Sequence, residues 1–423
     1  MLFRSEAGWT IMLFKLFMKE CSQTVKSLTY WLMVIIMVLF FASQMGQMDM
    51  EKAPEKGLED YGVKPSKDKN IIMSATLGML AGEYAEGRYT TYPIGFVKSV
   101  TLGKEEEAKV GEILKEATGL DKEEIEEKID EFYENSGGII TSRPVLEPLE
   151  SLSYGRFEEI MQEVDDMLGG GSSYALDSLG DNGSEPKTYE DAVKEYEELV
   201  QKDGYTGGYA RLFSDYMVII LGILPVFLAV TRELRDRRAN MQELIYVRRS
   251  SSMTIIASRY LSMVVMILIP VFALSIQPLA GCVTYAKTAG ISVDYLAFAK
   301  YIAGWLLPTV MVVTALGMLL TELTDTALAV LVQGAWWFVS IFMGAKTMDG
   351  GRYGWNLIPR HNTILNYSGY QEGFSQLLSN RILYASLAVI AVSVTAWIYS
   401  QKRKGRMNIR GKISANRKIQ SNA

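Results

Sequence analysis

One histidine, His361, serves a chain of 423 residues. Two-histidine metal sites, H-E-x-x-H included, are therefore impossible. A serine nucleophile could borrow that imidazole, but no G-x-S-x-G elbow is present to expose one. No G-x-x-x-x-G-K-[ST] occurs, so the chain has no phosphate-cradling P-loop of its own. The two cysteines, Cys21 and Cys282, make no CxxC pair. The acidic, turn-rich stretch 177–185 fails the calcium-loop pattern, because its third position is Leu179. The many other carboxylates recur on helical faces, where solvation is the ordinary role. No enzyme, metal site or cofactor is expected. What remains is a charged segment, residues 231–262, reading TRELRDRRANMQELIYVRRSSSMTIIASRYLS. Dense charge from Arg232 to Arg238 is followed by Met241, Leu244, Ile245 and Tyr246, then by Arg248, Arg249 and the break Ser250 to Ser252. That is the pattern of a short amphipathic helix, which offers a contact surface rather than covalent chemistry.

The elements that must position this segment are apolar. Six charge-free runs cover 27–48, 216–231, 260–286, 301–321, 326–345 and 382–401. Each is about long enough to cross a bilayer as a helix, which takes roughly 20 residues, and Leu212 and Phe213 extend the second past Asp215. Pro225, Pro270, Pro278 and Pro308 predict kinks or helix ends. With a cytoplasmic amino terminus, segments 1–26, 232–259, 322–325 and 402–423 hold 19 Lys and Arg against 7 Asp and Glu. The long stretch 49–215 holds 18 against 38. This is the positive-inside bias, and the net charge of −5 conceals it. The first run is too long, and too far behind an amphipathic leader, for a cleaved signal peptide, so a retained first span is expected. No Asp, Glu, Lys or Arg lies in the core of any run, which argues against proton coupling.

The expected fold is thus an α-helical polytopic membrane protein, with six transmembrane helices and a mainly helical extracytoplasmic domain. The divisions are an interfacial helix 1–27, transmembrane helix one 28–47, the extracytoplasmic domain 48–212, transmembrane helices two to six 213–401, and a basic cytoplasmic tail 402–423. Within 213–401 lie a cytoplasmic loop 232–259 and an outer loop 346–381. A multi-pass plasma-membrane location follows, with both termini cytoplasmic. Residues 9–26 place Trp9, Met12, Leu13, Leu16 and Phe17 at helical spacing, with Lys15, Lys19 and Lys26 on one stripe, as for a helix on anionic lipid. In the large domain, helices are predicted over 104–118, 121–135, 156–168 and 188–200, with a buried one over 71–81. Tyr84, Tyr89, Tyr92, Pro93 and Phe96 either pack in its core or line a groove.

Taken together, the chain resembles the permease subunits of type-2 ABC exporters. That class pairs six spans with an amphipathic helix before the first. Its loop between spans two and three carries an acidic/basic pair near the end of span two, then an acidic residue before Leu, a small-residue break and a basic residue opening the next span. Glu233 and Arg235, Glu243 and Leu244, Ser250 to Ser252, and Arg259 match that order. The resemblance implies that the loop is a coupling helix docking into a separate cytoplasmic ABC ATPase, with Glu233, Arg235, Glu243, Leu244 and Tyr246 as its contact residues. It also implies a second permease copy or sibling, the lipid membrane as surroundings, and no nucleic-acid partner. The chain departs from the class in lacking the proline often found in the break, and in its enlarged first outer domain. The same residues also fit a membrane sensor or secretion and assembly scaffold with a ligand-binding outer domain.

Overall fold

The computed structural model describes residues 2–407 apart from 59, 93–96, 136–143, 248–249, 346–350 and 352. Pro93, Phe96, Arg248, Arg249, the tail after Met407 and the side chain of Trp9 therefore lie outside the described residues. In chain order, α1 (Leu2–Val25) and α2 (Leu28–Met45) precede β1 (Val63–Pro65), α3 (Lys69–Glu86), β2 (Tyr89–Thr91), β3 (Lys98–Val100), α4 (Lys104–Thr118) and α5 (Lys122–Asn135). Next come α6 (Tyr154–Leu168), β4 (Ser184–Pro186) and α7 (Tyr189–Glu197). A π-helical stretch, Glu198–Gly204, leads into α8 (Tyr205–Leu221), α9 (Leu224–Arg238), α10 (Gln242–Tyr246) and α11 (Ser252–Ala289). Then follow α12 (Ala297–Tyr301), a second π-helical stretch Ile302–Leu306, α13 (Leu307–Thr324), α14 (Leu328–Ala345) and α15 (Tyr367–Arg403). The chain divides into two units, 53–194 and the remainder, 1–52 with 195–423.

Unit 53–194 is built by amphipathic helices with their own stop and start signals. Asp121 and Glu124 cap α5 reciprocally, each carboxylate accepting from the other residue's backbone N–H at 3.1 and 2.9 Å. Ser153 caps α6 and Gly169 ends it in the left-handed conformation, φ 87°. The faces so presented bury Leu77, Leu80, Val110, Leu114, Phe157, Ile160, Met161 and Val164 in one core. The stretch 71–81 lies inside α3, which is longer than its apolar run suggests because Asp68 caps its start. Two short antiparallel pairs close the unit, β1 with β4 and β2 with β3. Lys64 on β1 bridges Glu185 at 3.2 Å and Asp191 at 2.8 Å.

The second unit contains four helices long and apolar enough to cross a membrane: α2, α11, the continuous stretch Ala297–Thr324 and α15. α2 shows why they read as spans. Met33, Met37, Phe41 and Met45 form a buried stripe at four-residue spacing, yet Trp31, Leu32, Ile35, Ile36 and Leu39 on its other side are exposed. A helix apolar all round, with only one side packed, needs an apolar solvent.

The six apolar runs all fall on helices, but they do not make six uniform spans. The second is broken into α8 and α9, which meet at 43° and are long and apolar enough to cross a membrane only as a pair. The fifth gives α14, a shorter apolar helix over Leu328–Phe342. The break follows from Pro225, which has no N–H to continue the ladder and clashes with the turn before it. The exposed carbonyls find partners on α14: Gln333 Nε2 donates to Gly222 O at 2.6 Å and Trp337 Nε1 to Ile219 O at 2.7 Å. Pro270 in α11 strips the Met266 carbonyl of its helical donor, and Tyr30 Oη of α2 donates to it at 3.2 Å. Where no water is available, freed backbone groups must be paired in this way.

The expectation of uncharged span cores also changes. The helices extend beyond the charge-free runs, so Arg211 and Asp215 lie in α8, and Arg381 lies well inside α15, all buried. Arg211 is paired with Asp203 at 2.5 Å and donates to Ile364 O and Leu365 O. Asp215 accepts from His361 N at 2.5 Å and Arg360 Nε at 3.0 Å. These contacts tie segment 353–366 to α8. His361 is buried there. Its Nε2 faces the Leu365 carbonyl at 3.2 Å, which can only accept, so Nε2 carries the proton and Nδ1 accepts from Tyr353 Oη at 2.8 Å. Burial, joined by the Arg211 charge, pushes this imidazole down to about 3.

Two predictions follow from these contacts. A neutral His361 is favoured only in the folded chain, so its contribution to stability is complete above about pH 6.5 and is lost as pH falls towards 3. The melting temperature of the detergent-solubilised protein should drop more steeply between pH 7 and 4 for the natural chain than for His361→Gln; equal slopes would refute the assignment. In unit 53–194, a Cβ on Gly78 would lie 2.0 Å from the Pro144 carbonyl oxygen, whereas one on Gly155 meets nothing within 4 Å. Gly78→Ala should cost at least about 1–3 kcal/mol and open the α3–α6 core to limited proteolysis, and Gly155→Ala should not.

Candidate functional site

The charged segment folds as two pieces with different surroundings. Its first part is the end of α9, which becomes more exposed from Arg235 to Asn240. Asn240, in the left-handed conformation at φ 51°, ends the turn. Its second part is α10, a single exposed turn.

Five of the six charges of α9 pair with or face other helices: Arg232 and Glu233 are buried, Arg235, Asp236 and Arg237 half-buried, and Arg238 is exposed. Arg232 holds Glu20 of α1 through two hydrogen bonds of 2.6 Å and reaches Asp236 at 3.3 Å. Arg259 of α11 pairs with Glu233 at 3.3 Å and also with Asp236. Its guanidinium lies 5.8 Å over the Tyr399 ring of α15. Arg237 pairs with Glu322 of α13 at 3.0 Å and with Asp325. Lys402 of α15 meets Glu322 at 3.5 Å and Asp325 at 3.0 Å. Arg235 is half-exposed and bonds Gln23 of α1. Burial opposes the charge of Glu20, and the Arg232 guanidinium overcomes that, holding the carboxyl below its ordinary range. A cavity of about 10 Å³, about the room one water needs, lies among Glu233, Arg259 and Glu322. Glu233 Oε1 and Arg259 Nε at its edge have no hydrogen-bond partner among the described residues.

α10 rests on this network and points the other way. Met241, Glu243, Leu244 and Val247 are exposed, Leu244 by 59% and Val247 by 80%. Tyr246 packs inward, edge-on to Tyr399 with ring centroids 5.4 Å apart, and accepts from Gln242 Nε2 at 2.8 Å. Burial raises its phenol to about 12. Arg403, the last residue of α15, donates to Tyr246 O at the end of α10 and to Ser250 O beyond it, each at 2.7 Å. The turn is therefore short but fixed, and three apolar side chains and one carboxylate face outward.

The five residues singled out from sequence thus separate. Glu243 and Leu244 form the exposed surface. Glu233 is 3% exposed and holds Arg259. Arg235 lies between Gln23 and solvent, and Tyr246 anchors the turn. Sequence reasoning missed Glu20, Asp236, Glu322, Asp325, Lys402 and Arg403. All but Glu20, seven residues ahead of the first run, stand within a turn or so of the end of an apolar run, which is the one signal that marked them. Among the described residues no group of three His, Cys, Asp or Glu side chains could hold a metal ion.

No known family model, curated protein or solved structure matches the chain.

The network predicts strong coupling between its members. Removing one partner of a buried pair leaves an uncompensated charge and costs about 3–5 kcal/mol. Glu233→Leu should lower the melting temperature markedly, and the same change in an Arg259→Leu background should cost much less. A double-mutant cycle of thermal unfolding in detergent measures this, and additive losses would refute it.

Proposed function

We propose that the chain is the membrane-spanning permease subunit of an ATP-driven exporter, with ATP hydrolysis in a separate cytoplasmic subunit of the ABC type. One observation carries this reading: α10 presents Met241, Glu243, Leu244 and Val247 outward from a base locked by ion pairs to α1, α9, α11, α13 and α15. A flexible loop would absorb the movement of a docked motor. A turn clamped by Arg403 and Tyr399 passes it to the helices. Three apolar side chains around one carboxylate suit the small, partly apolar core of a protein interface. The orientation is set by charge, with 1–26, 232–259 and 402–423 on the cytoplasmic side and 49–212 outside.

In this reading two permeases, identical or paired with a sibling, form the pathway, and two ATPase subunits dock on their α10 turns. ATP binding draws the ATPases together. That favours one arrangement of the helices, and hydrolysis releases it, because a ligand shifts an equilibrium only through its differential affinity for the two states. The exposed residues make the contact. Glu233 and Arg259 transmit it and touch no partner.

Affinity purification from the native membrane in mild detergent tests this. A P-loop ATPase should accompany the natural chain in stoichiometric amount and be lost with Leu244→Asp or Glu243→Lys, while membrane insertion is unchanged. ATPase retained by the double variant, or a preparation free of any ATPase, would refute the docking role. A soluble partner held by unit 53–194 in place of an ATPase would instead support the sensor or scaffold, a reading that unit's separate core favours.

A further inference from the structure

Far along α15 from the ion network, a second feature has no place in the coupling argument. The π-helical stretch Ile302–Leu306 widens the chain between α12 and α13. Such turns occur mostly at functional positions. Facing it is the first half of α15. Between them lies a half-open cavity of about 340 Å³. Its walls are Tyr301, Trp305, Tyr370, Phe374 and Leu377, and its base is Arg381.

Arg381 differs from the other buried cations of this unit. Arg211, Arg232, Arg259 and Lys402 each face a carboxylate. Arg381 is 4% exposed and faces none among the described residues. Its donors end on neutral oxygens: Trp305 O at 3.1 Å, Thr309 Oγ1 at 2.8 Å, Asn380 Oδ1 at 2.6 Å, and the carbonyls of Asn356 and Leu357 at 3.3 and 3.4 Å. These dipoles, with the Tyr384 ring 5.4 Å from the guanidinium, solvate the charge but supply no counter-charge. Beside it, Trp305 Nε1 is buried with no acceptor among the described residues, although Trp305 itself is only 2% exposed. The cavity therefore joins an apolar wall to an unneutralised cation and an unused donor. Buried polar groups without partners are few in folded proteins and call for a specific explanation.

We propose that this cavity binds an amphiphilic organic anion: one carboxylate or phosphate group towards Arg381 and Trp305 Nε1, on a single short apolar chain or ring lying against Tyr370, Phe374 and Leu377. The charge supplies what Arg381 lacks, and the acceptor oxygen satisfies the indole. The volume is at the small end of the roughly 300–1,000 Å³ usual for ligand pockets, so it takes one chain and excludes a whole two-chain lipid. Lys300 also lines the cavity, but it is paired with Asp294 at 2.6 Å, so Arg381 is the cation there without a counter-charge. The anion can arrive as a free amphiphile or as one chain and headgroup of a membrane lipid. The site stands whether or not an ATPase docks on α10.

The test is equilibrium binding of radiolabelled decanoate, with decanol as the neutral control, to the full chain in nanodiscs of phosphatidylcholine. Decanoate should bind saturably and about tenfold more tightly than decanol, the difference a charged hydrogen-bonding group makes. Gly304 provides a way to fill the cavity, because a Cβ there meets nothing within 4 Å. Gly304→Leu should abolish saturable binding at an unchanged melting temperature. Trp305→Phe keeps the wall but removes the donor, and should weaken decanoate several-fold without changing decanol. Equal binding of acid and alcohol would overturn the proposal, as would decanoate binding that neither variant alters. Adding phosphatidylglycerol to the nanodiscs separates the sources. Competitive loss of decanoate would assign the site to membrane lipid, and no competition would assign it to free amphiphiles.

Discussion

The buried charges that join α1, α9, α11, α13 and α15 are the constraint on which the larger unit depends. Glu20, Glu233, Asp236, Glu322 and Asp325 stand against Arg232, Arg237, Arg259 and Lys402. Removing any one of these from water alone costs several kcal/mol. The helices can therefore bring them inside only together, in one register and one rotation. Apolar packing would not select that arrangement, since lipid tails satisfy a Leu surface as well as a neighbouring helix does. The ion pairs supply the specificity that the hydrophobic effect cannot supply there. A five-residue helix such as α10, far too short to be stable alone, is held instead by Tyr246 against Tyr399 and by the Arg403 hydrogen bond to Tyr246 O.

A second constraint shapes the helices themselves. Proline interrupts α8–α9 and α11, and each interruption exposes a carbonyl that must be paired. Gln333 and Trp337 sit four residues apart on α14, so both reach the α8–α9 break from one face. Tyr30 does the same for α11 from α2. The bends are thus tied to particular neighbours, and α14, though short, is fixed by the break it repairs. Polar side chains inside the apolar runs are structural here before they are functional.

How much of this could be read from sequence depended on how local the cause was. The helices of unit 53–194 were legible because their signals lie within them. Val110, Ile113, Leu114 and Ala117 repeat on one face of α4, and Asp121 with Glu124 marks the start of α5. The exposed turn with Glu243 and Leu244 was legible for the same reason. The partners of α9 were not. Glu20 meets Arg232 across 212 residues of sequence, and nothing local to either names the other. The uncharged-core expectation failed at Arg381 because a window that stops at the first charge also stops short of the helix. α15 begins at Tyr367, and its cap, Asn366, lies in a segment that looked like loop. The broken second span was marked by Pro225, but only the fold shows that the helix restarts at 43° instead of ending.

The two sites of this unit share the same pair of helices. α15 carries Leu377 and Arg381 towards one end and Tyr399, Lys402 and Arg403 at the other. α13 carries Thr309, which Arg381 holds, and Glu322, which Lys402 holds. The pair is thus fastened at both ends by buried polar contacts whose breakage would leave a charge unmatched. Neither helix can slide along the other by part of a turn without losing both fastenings at once. A packed interface of that kind moves between discrete arrangements and does not deform gradually. An anion bound at Arg381 and a partner pulling on Arg403, as proposed above, would therefore act on the same pair of helices. Coupling between them needs no chain of intermediaries, only a second arrangement of α13 and α15 that the two ends favour unequally.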